Sequence, residues 1–333
     1  MAIDANGGTI ELTTRLTQAR LRASLVPNGR LQCARALAPA DCAQLDAFCG
    51  AHPSHLLRVY NGAVRAWNFD LRFLAQVPAL KHLWLDANPG QLNDWSALEC
   101  LPAGLLTLTL DTLSRSGEKT RDRAKEHPEV LARLRKLTTL SLCGKLREPG
   151  FLAPLRKLRG LTLARTGLGG LAGIEALSGL RHLRLLACGA ADLQPLAALD
   201  GLESLEIWDQ RNLRSLAPLT GLAQLRRLWL VSCGATLALP SLAGMDALRV
   251  LVIDKLARPD NLKQIAAAPA LRCLILTGSP ALRDADALRP LAGHPTLEEV
   301  RLDSYDEALL RAVRQRYGWK VAYSNYPADR YLK

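Results

Sequence analysis

Aromatic side chains are scarce in this chain: Phe, Trp and Tyr together make up 5% of its 333 residues, and there are only 2 Met. A core built with so few of them must be aliphatic, and each Trp then stands out as a residue with a particular task. Paired cysteines are missing too. The 8 Cys run from Cys33 to Cys273 without a C-x-x-C pair, which excludes the usual zinc spacings and, in a chain this long, points to reduced thiols rather than a disulfide framework. No run of 18 or more apolar residues is present to span a membrane. The opening residues 1–8 have neither a basic start nor an apolar stretch of signal-peptide type, so a cytoplasmic protein is expected, with specialised secretion left open.

Catalytic motifs are equally absent. The sequence holds no H-E-x-x-H, no P-loop and no G-x-S-x-G. Gly167-Leu168-Gly169-Gly170-Leu171-Ala172 does satisfy G-x-G-x-x-A, but the next strand pattern begins at Leu180. That leaves no room for the long helix whose N-terminus would hold a pyrophosphate. We therefore expect no enzyme, no cofactor and no metal site. Acidic residues are outnumbered, 31 Asp and Glu against 43 Lys and Arg, for a formal net charge of +12. This raises an acidic partner or a nucleic acid as ligand.

Leucine, by contrast, supplies 70 residues. The pattern L-x-x-L-x-L recurs with its first leucines at Leu80, Leu105, Leu137, Leu158, Leu180, Leu202, Leu225, Leu248, Leu271 and Leu297, and Leu56/Val59 marks a degenerate earlier copy. The cleanest steps are 21 to 23 residues, and a fixed period of this length is the mark of a stacked repeat. Between copies come short segments such as Phe151-Leu152-Ala153-Pro154-Leu155 and Leu193-Gln194-Pro195-Leu196, where proline argues against a long helix. On these residues the chain resembles leucine-rich repeat proteins over roughly 54–304, and within them the 22-residue bacterial repeats of internalins. The resemblance implies an α/β solenoid: a horseshoe or arc with a parallel β-sheet on its concave face and short 3₁₀, extended or helical returns on the convex face. One departure is visible. The family places Asn at the ninth repeat position, held here only by Asn88, while Cys188 and Cys233 occupy it in two copies.

A repeat cannot bury its own leucines, so the stack needs ends. Residues 1–53 read as an N-terminal cap with a helix over 39–48, and 305–333 as a C-terminal cap with an amphipathic helix over 305–314 and a strand over 319–323. The one 32-residue step holds a mixed-charge stretch, 117–127, read as a loop, followed by Val130, Leu131 and Leu134 at the spacing of a convex-side helix.

Because strand side chains alternate, the third, fifth and seventh positions of each copy face away from the leucine core and line the concave face. Leu186, Trp208, Trp229, Val231, Val250, Val252 and Ile275 fall there on consecutive strands, rimmed by Arg184, Glu206, Arg227 and Asp254, and Trp84 holds the same column in an earlier copy. Trp and Arg are enriched at binding hot spots, and exposed apolar patches mark partner sites; the alternative is that the C-terminal cap or a loop covers the patch. We expect a non-catalytic module of about ten or eleven repeats that binds one protein partner of acidic or mixed surface on this face. For its role, the resemblance points to adaptors, immunity-type inhibitors or effectors. The other candidate ligand is a nucleic acid along the flanking row Lys81, Arg159, Arg181, Arg226, Arg249 and Arg272, but Glu203 and Glu298 break the row and no aromatics accompany it. Replacing both Trp208 and Trp229 by Ala is expected to abolish partner capture and leave the fold cooperative.

Overall fold

The alternation of leucines with polar residues does produce strands. The structure, a computed structural model, describes residues 9–323 apart from 14, 28, 61–69, 87–94, 112–126, 145, 147, 234–236, 256–260, 279–281, 283 and 303–305. Asn88 and most of the mixed-charge stretch therefore lie outside the described residues. The chain divides into two compact units, residues 1–146 with 150–166, and 147–149 with 167–333.

In the first unit, β1 (Thr9–Glu11), β2 (Arg30–Cys33), β3 (Leu56–Tyr60), β4 (His82–Asp86), β5 (Thr107–Asp111), β6 (Thr139–Cys143) and β7 (Gly160–Ala164) pair in parallel and in chain order. Leu83, Leu108, Leu140 and Leu161 stand in register on β4 to β7 and are buried. Each such side chain contributes about 2 kcal/mol on leaving water. The segment read as an N-terminal cap supplies β1 and β2 as well as α1 (Gln18–Arg22) and α2 (Pro39–Ala51). Its helix buries Leu45 and Phe48, and the Asp41 carboxylate accepts the Leu16 N–H at 2.7 Å.

The second unit repeats the scheme with β8 (His182–Leu186), β9 (Ser204–Trp208), β10 (Arg227–Val231), β11 (Val250–Asp254), β12 (Cys273–Thr277), β13 (Glu299–Leu302) and β14 (Lys320–Tyr323), again parallel and in chain order. Two helices accompany them, α3 (Asn261–Ala266) and α4 (Glu307–Tyr317). Asp306 caps α4 by accepting the Ala308 and Leu309 N–H groups, and Gly318 closes it at φ 70°, a left-handed turn that glycine adopts without strain.

Most other returns are single 3₁₀ turns, among them Leu71–Gln76, Gln194–Ala198 and Ala217–Gly221. The helix expected from Val130, Leu131 and Leu134 is such a turn, Pro128–Arg133: Leu134 N–H bonds the Leu131 carbonyl at 2.9 Å, a three-residue closure that a short return accommodates where an α-helix does not fit. The Gly167–Ala172 stretch likewise leads into a three-residue turn, Ile174–Ala176, with Leu168 and Leu171 buried in the core.

A turn signature absent from the leucine pattern lies at the exits of β7 to β11. Arg165, Ala187, Asp209, Ser232 and Lys255, all at the eighth repeat position, have φ between 51° and 61°. A left-handed non-glycine residue costs about 1 kcal/mol. The conformation aims N–H groups sideways to the next strand: Ala187 to the Trp208 carbonyl at 2.8 Å, Asp209 to Val231 at 2.9 Å, Lys255 to Thr277 at 2.7 Å. The ninth position then ties the turns together. Buried Gln210 donates to the Leu185 and Trp208 carbonyls at 3.3 and 3.2 Å and accepts the Ala190 N–H at 3.1 Å. Cys233 donates to the corresponding pair, Ile207 and Val231, at 3.1 and 3.3 Å.

Two solution properties follow. Burial lowers the pKa of His55, His82 and His294 below the ordinary 6.5. The unfolded chain therefore binds more protons just below pH 6.5. The stability these neutral imidazoles contribute is complete above that value and is lost as pH falls toward their folded values. Urea midpoints should drop between about pH 7.5 and about pH 5.5, and a midpoint that rises over this interval contradicts the account. All eight cysteines are free thiols, and burial pushes Cys33 and Cys49 up to about 12 and Cys233 to about 11. A thiol reagent at neutral pH is expected to reach only half-buried Cys100 and Cys143 in the native protein and all eight after unfolding. Fast native labelling of Cys33 or Cys49 contradicts this.

Candidate functional site

On the outward sheet face of the first unit, the side chains form a charged aromatic cluster. The Arg58 guanidinium lies 4.5 Å from the Trp84 ring centroid and 5.0 Å from that of Tyr60, and it is paired with Asp86. Arg30 sits 5.9 Å from Trp84. Tyr60 O–H and the Gln32 amide both donate to Glu11 at 2.9 Å. Burial and then the Glu11 carboxylate raise the Tyr60 phenol above its ordinary pKa of 10. Trp84 thus belongs to a polar assembly of β1 to β4, in the unit that does not hold the other candidate residues. Arg58, Tyr60 and Asp86 occupy the same alternating positions that singled out Trp84, yet as polar residues they do not register in a search for apolar patches.

The second unit brings the remaining candidates together. Trp208 and Trp229 stack with centroids 6.2 Å apart and planes at 22°, and Arg227 lies 5.8 Å from the Trp229 centroid. Arg184 Nε donates to Glu206 at 2.8 Å. Asp254 accepts from Ser232 and Thr277 hydroxyls at 3.0 Å each and lies 3.8 Å from the Lys255 ammonium. The apolar patch is not exposed as the leucine pattern leads one to expect. Trp229 is 8% exposed, and Val252 and Ile275 are fully buried, packed with Val250, Cys273 and half-buried Trp208. Accessible surface is left at the seventh-position row, where Leu186, Trp208, Val231, Asp254 and Thr277 are half-buried on five consecutive strands.

The basic flank is partly neutralised. Arg181 pairs with Glu203 at 3.5 Å and Arg272 with Glu298 at 3.6 Å, so the two glutamates that interrupt the row face its arginines. Among the described residues no group of three or more His, Cys, Asp or Glu is placed to hold a metal, and no helix is long and apolar enough to cross a membrane.

No protein-family model matches the sequence, and no curated protein matches it. Among solved structures the chain is similar to an internalin (inlF) from Listeria monocytogenes, with 17% identity over 84% of this chain and 82% of that one and a TM-score of 0.53. The chain has the leucine-rich repeat fold. Internalin C2 of the same organism aligns with 62% of this chain and 83% of its own at 22% identity and a TM-score of 0.45. In a leucine-rich repeat the leucines are committed to the core, so the residues that vary on the outward face are the ones free to specify a ligand.

Proposed function

We propose that this leucine-rich repeat protein is a non-catalytic interaction module whose protein partner docks on the second unit along the row Leu186, Trp208, Val231, Asp254 and Thr277. The observation that carries this reading is Trp208, a half-exposed ring held by stacking on buried Trp229 within that row. A ring fixed before the partner arrives costs little ordering entropy on binding, and Trp is the residue type most often found at hot spots. Arg184, Glu206 and Arg227 border the row, while Trp229, Val252 and Ile275 form its base. The net charge of +12 favours a partner with an acidic or mixed surface. Paired flank arginines and the lack of stacked aromatics along them weigh against nucleic acid.

Capture from the native cell extract on immobilised protein tests the reading. Trp208→Ala and Leu186→Arg should each lose the captured partner, with affinity reduced at least about tenfold, while Trp84→Ala in the first unit retains it. Binding should also persist from low to moderate salt, where phosphate recognition weakens steeply. Equal capture by all three variants, or loss with salt alone, rejects the site.

A further inference from the structure

The ladder begins at β1 in the first unit and ends at β14 in the second. Among the described residues no strand pairs with the far side of either one. A strand edge with unpaired N–H and C=O groups is a template on which another chain can pair. Both edges carry the same feature at this point. A strand residue aims its N–H and C=O to one side, and the next residue aims them to the other. The Leu12 N–H reaches the Gln32 carbonyl of β2 at 2.7 Å, so the backbone groups of Glu11 face away from β2. There the Glu11 carbonyl accepts Nη2 of Arg20, on α1, at 2.9 Å. At the other end the Lys320 N–H reaches the carbonyl of Glu298, just before β13, at 2.9 Å, so the backbone groups of Val321 face away from β13. The Val321 carbonyl accepts Nη2 of Arg314, on α4, at 3.1 Å.

Each arginine is carried by a helix that the core holds in place. Leu21 follows Arg20 and Val313 precedes Arg314, and both apolar side chains are fully buried. Thr17 also fixes the first turn of α1 by accepting the Arg20 N–H at 3.3 Å.

The two edges fit each other. Ile10 stands in register with Leu31, and Val321 with Val300, so each is the end member of a buried aliphatic row in its own unit. Setting β14 of one copy parallel to β1 of another, with Val321 beside Ile10, joins these rows and gives the Val321 carbonyl the Glu11 N–H. In the single chain Arg314 fills that place. Arg20 stands on the facing edge, and two guanidinium charges brought to one junction repel each other. Because the joined edges differ, the contact would not close on itself but would run on as a row of copies.

We propose that Arg20 and Arg314 are edge guards that keep this chain from joining end to end with a second copy of itself, β14 of one against β1 of the next. Light scattering on the full chain, over about a hundredfold range of concentration, tests this. The wild type should keep the monomer mass throughout. The double variant Arg20→Ala/Arg314→Ala should at least about double its average mass at the upper end. Each single variant meets one guard at every junction with its own kind and should stay near the monomer. An equimolar mixture of Arg20→Ala and Arg314→Ala has one junction free of both guards and should stop at the dimer. Lysine at both positions keeps the charge and a donor and should keep the monomer. A wild type that associates overturns the proposal, as does a folded double variant that stays monomeric or association of the single variants as strong as that of their mixture. Should the double variant lose its circular dichroism, the mixture decides, and no dimer there overturns the proposal. Unfolding of the single variants also overturns it, because the arginines would then belong to the folding core.

Discussion

Trp229→Ala should destabilise the second unit by about 3–5 kcal/mol, the range for truncating a buried aromatic to alanine. Its ring is 8% exposed, belongs to one buried cluster with Val250, Val252, Cys273 and Ile275, and stacks on Trp208. Deleting it removes the apolar contacts and leaves a hole that rigid, hydrogen-bonded strands cannot close. Trp208→Ala removes a half-exposed ring from the outer side of the same stack and should cost about 1 kcal/mol. Urea unfolding followed by circular dichroism separates the two. A loss at Trp229 below about 1 kcal/mol, or equal losses at both sites, rejects the packing account. The contrast also decides how binding is probed: a double Trp208/Trp229 variant mixes folding with recognition, and Trp208 alone tests recognition.

The two tryptophans show how far the sequence is legible. Alternation of side chains on a strand reports which side of the sheet a residue faces, and it placed Trp208, Trp229, Val252 and Ile275 together on the outward face, where the structure finds them. Alternation carries no information on what lies above that face, so exposure of Trp208 and burial of Trp229 could not be separated from the repeat alone. The turn Pro128–Arg133 shows a related limit. The spacing of Val130, Leu131 and Leu134 fits an α-helix in isolation, but the return must rejoin β6 in register, and geometry set by neighbouring repeats overrides local periodicity. The aromatic cluster around Arg58 was hidden for a third reason. Its cohesion comes from cation–π contacts and ion pairs between strands, and these depend on side-chain reach across β2 to β4 rather than on any apolar pattern.

Gln210→Met should cost about 2–4 kcal/mol although it keeps the side-chain volume. The glutamine is fully buried at a position where the family pattern places Asn, and its amide holds three backbone groups of two adjacent turns: the Leu185 and Trp208 carbonyls and the Ala190 N–H. Methionine fills the same space without a strong donor or acceptor. The Ala190 N–H then loses its acceptor inside the turn, and each buried group left unsatisfied costs about 1–3 kcal/mol. Gln210→Cys should cost less. At Cys233 the single S–H of a thiol is shared between the equivalent pair of carbonyls, Ile207 and Val231, so cysteine keeps one weak donor at the turn where methionine supplies none. Ranking the urea midpoints tests this, with the order wild type, Cys, Met expected from highest to lowest. Met at or above Cys would show that side-chain volume rather than hydrogen bonding locks the turns. The order matters beyond stability because Gln210 donates to the backbone of Trp208 itself. A turn loosened at Gln210 should disturb the ring proposed to meet the partner without touching the binding row, and weakened capture by Gln210→Met at a temperature where the protein remains folded would link the repeat's internal ladder to its recognition face.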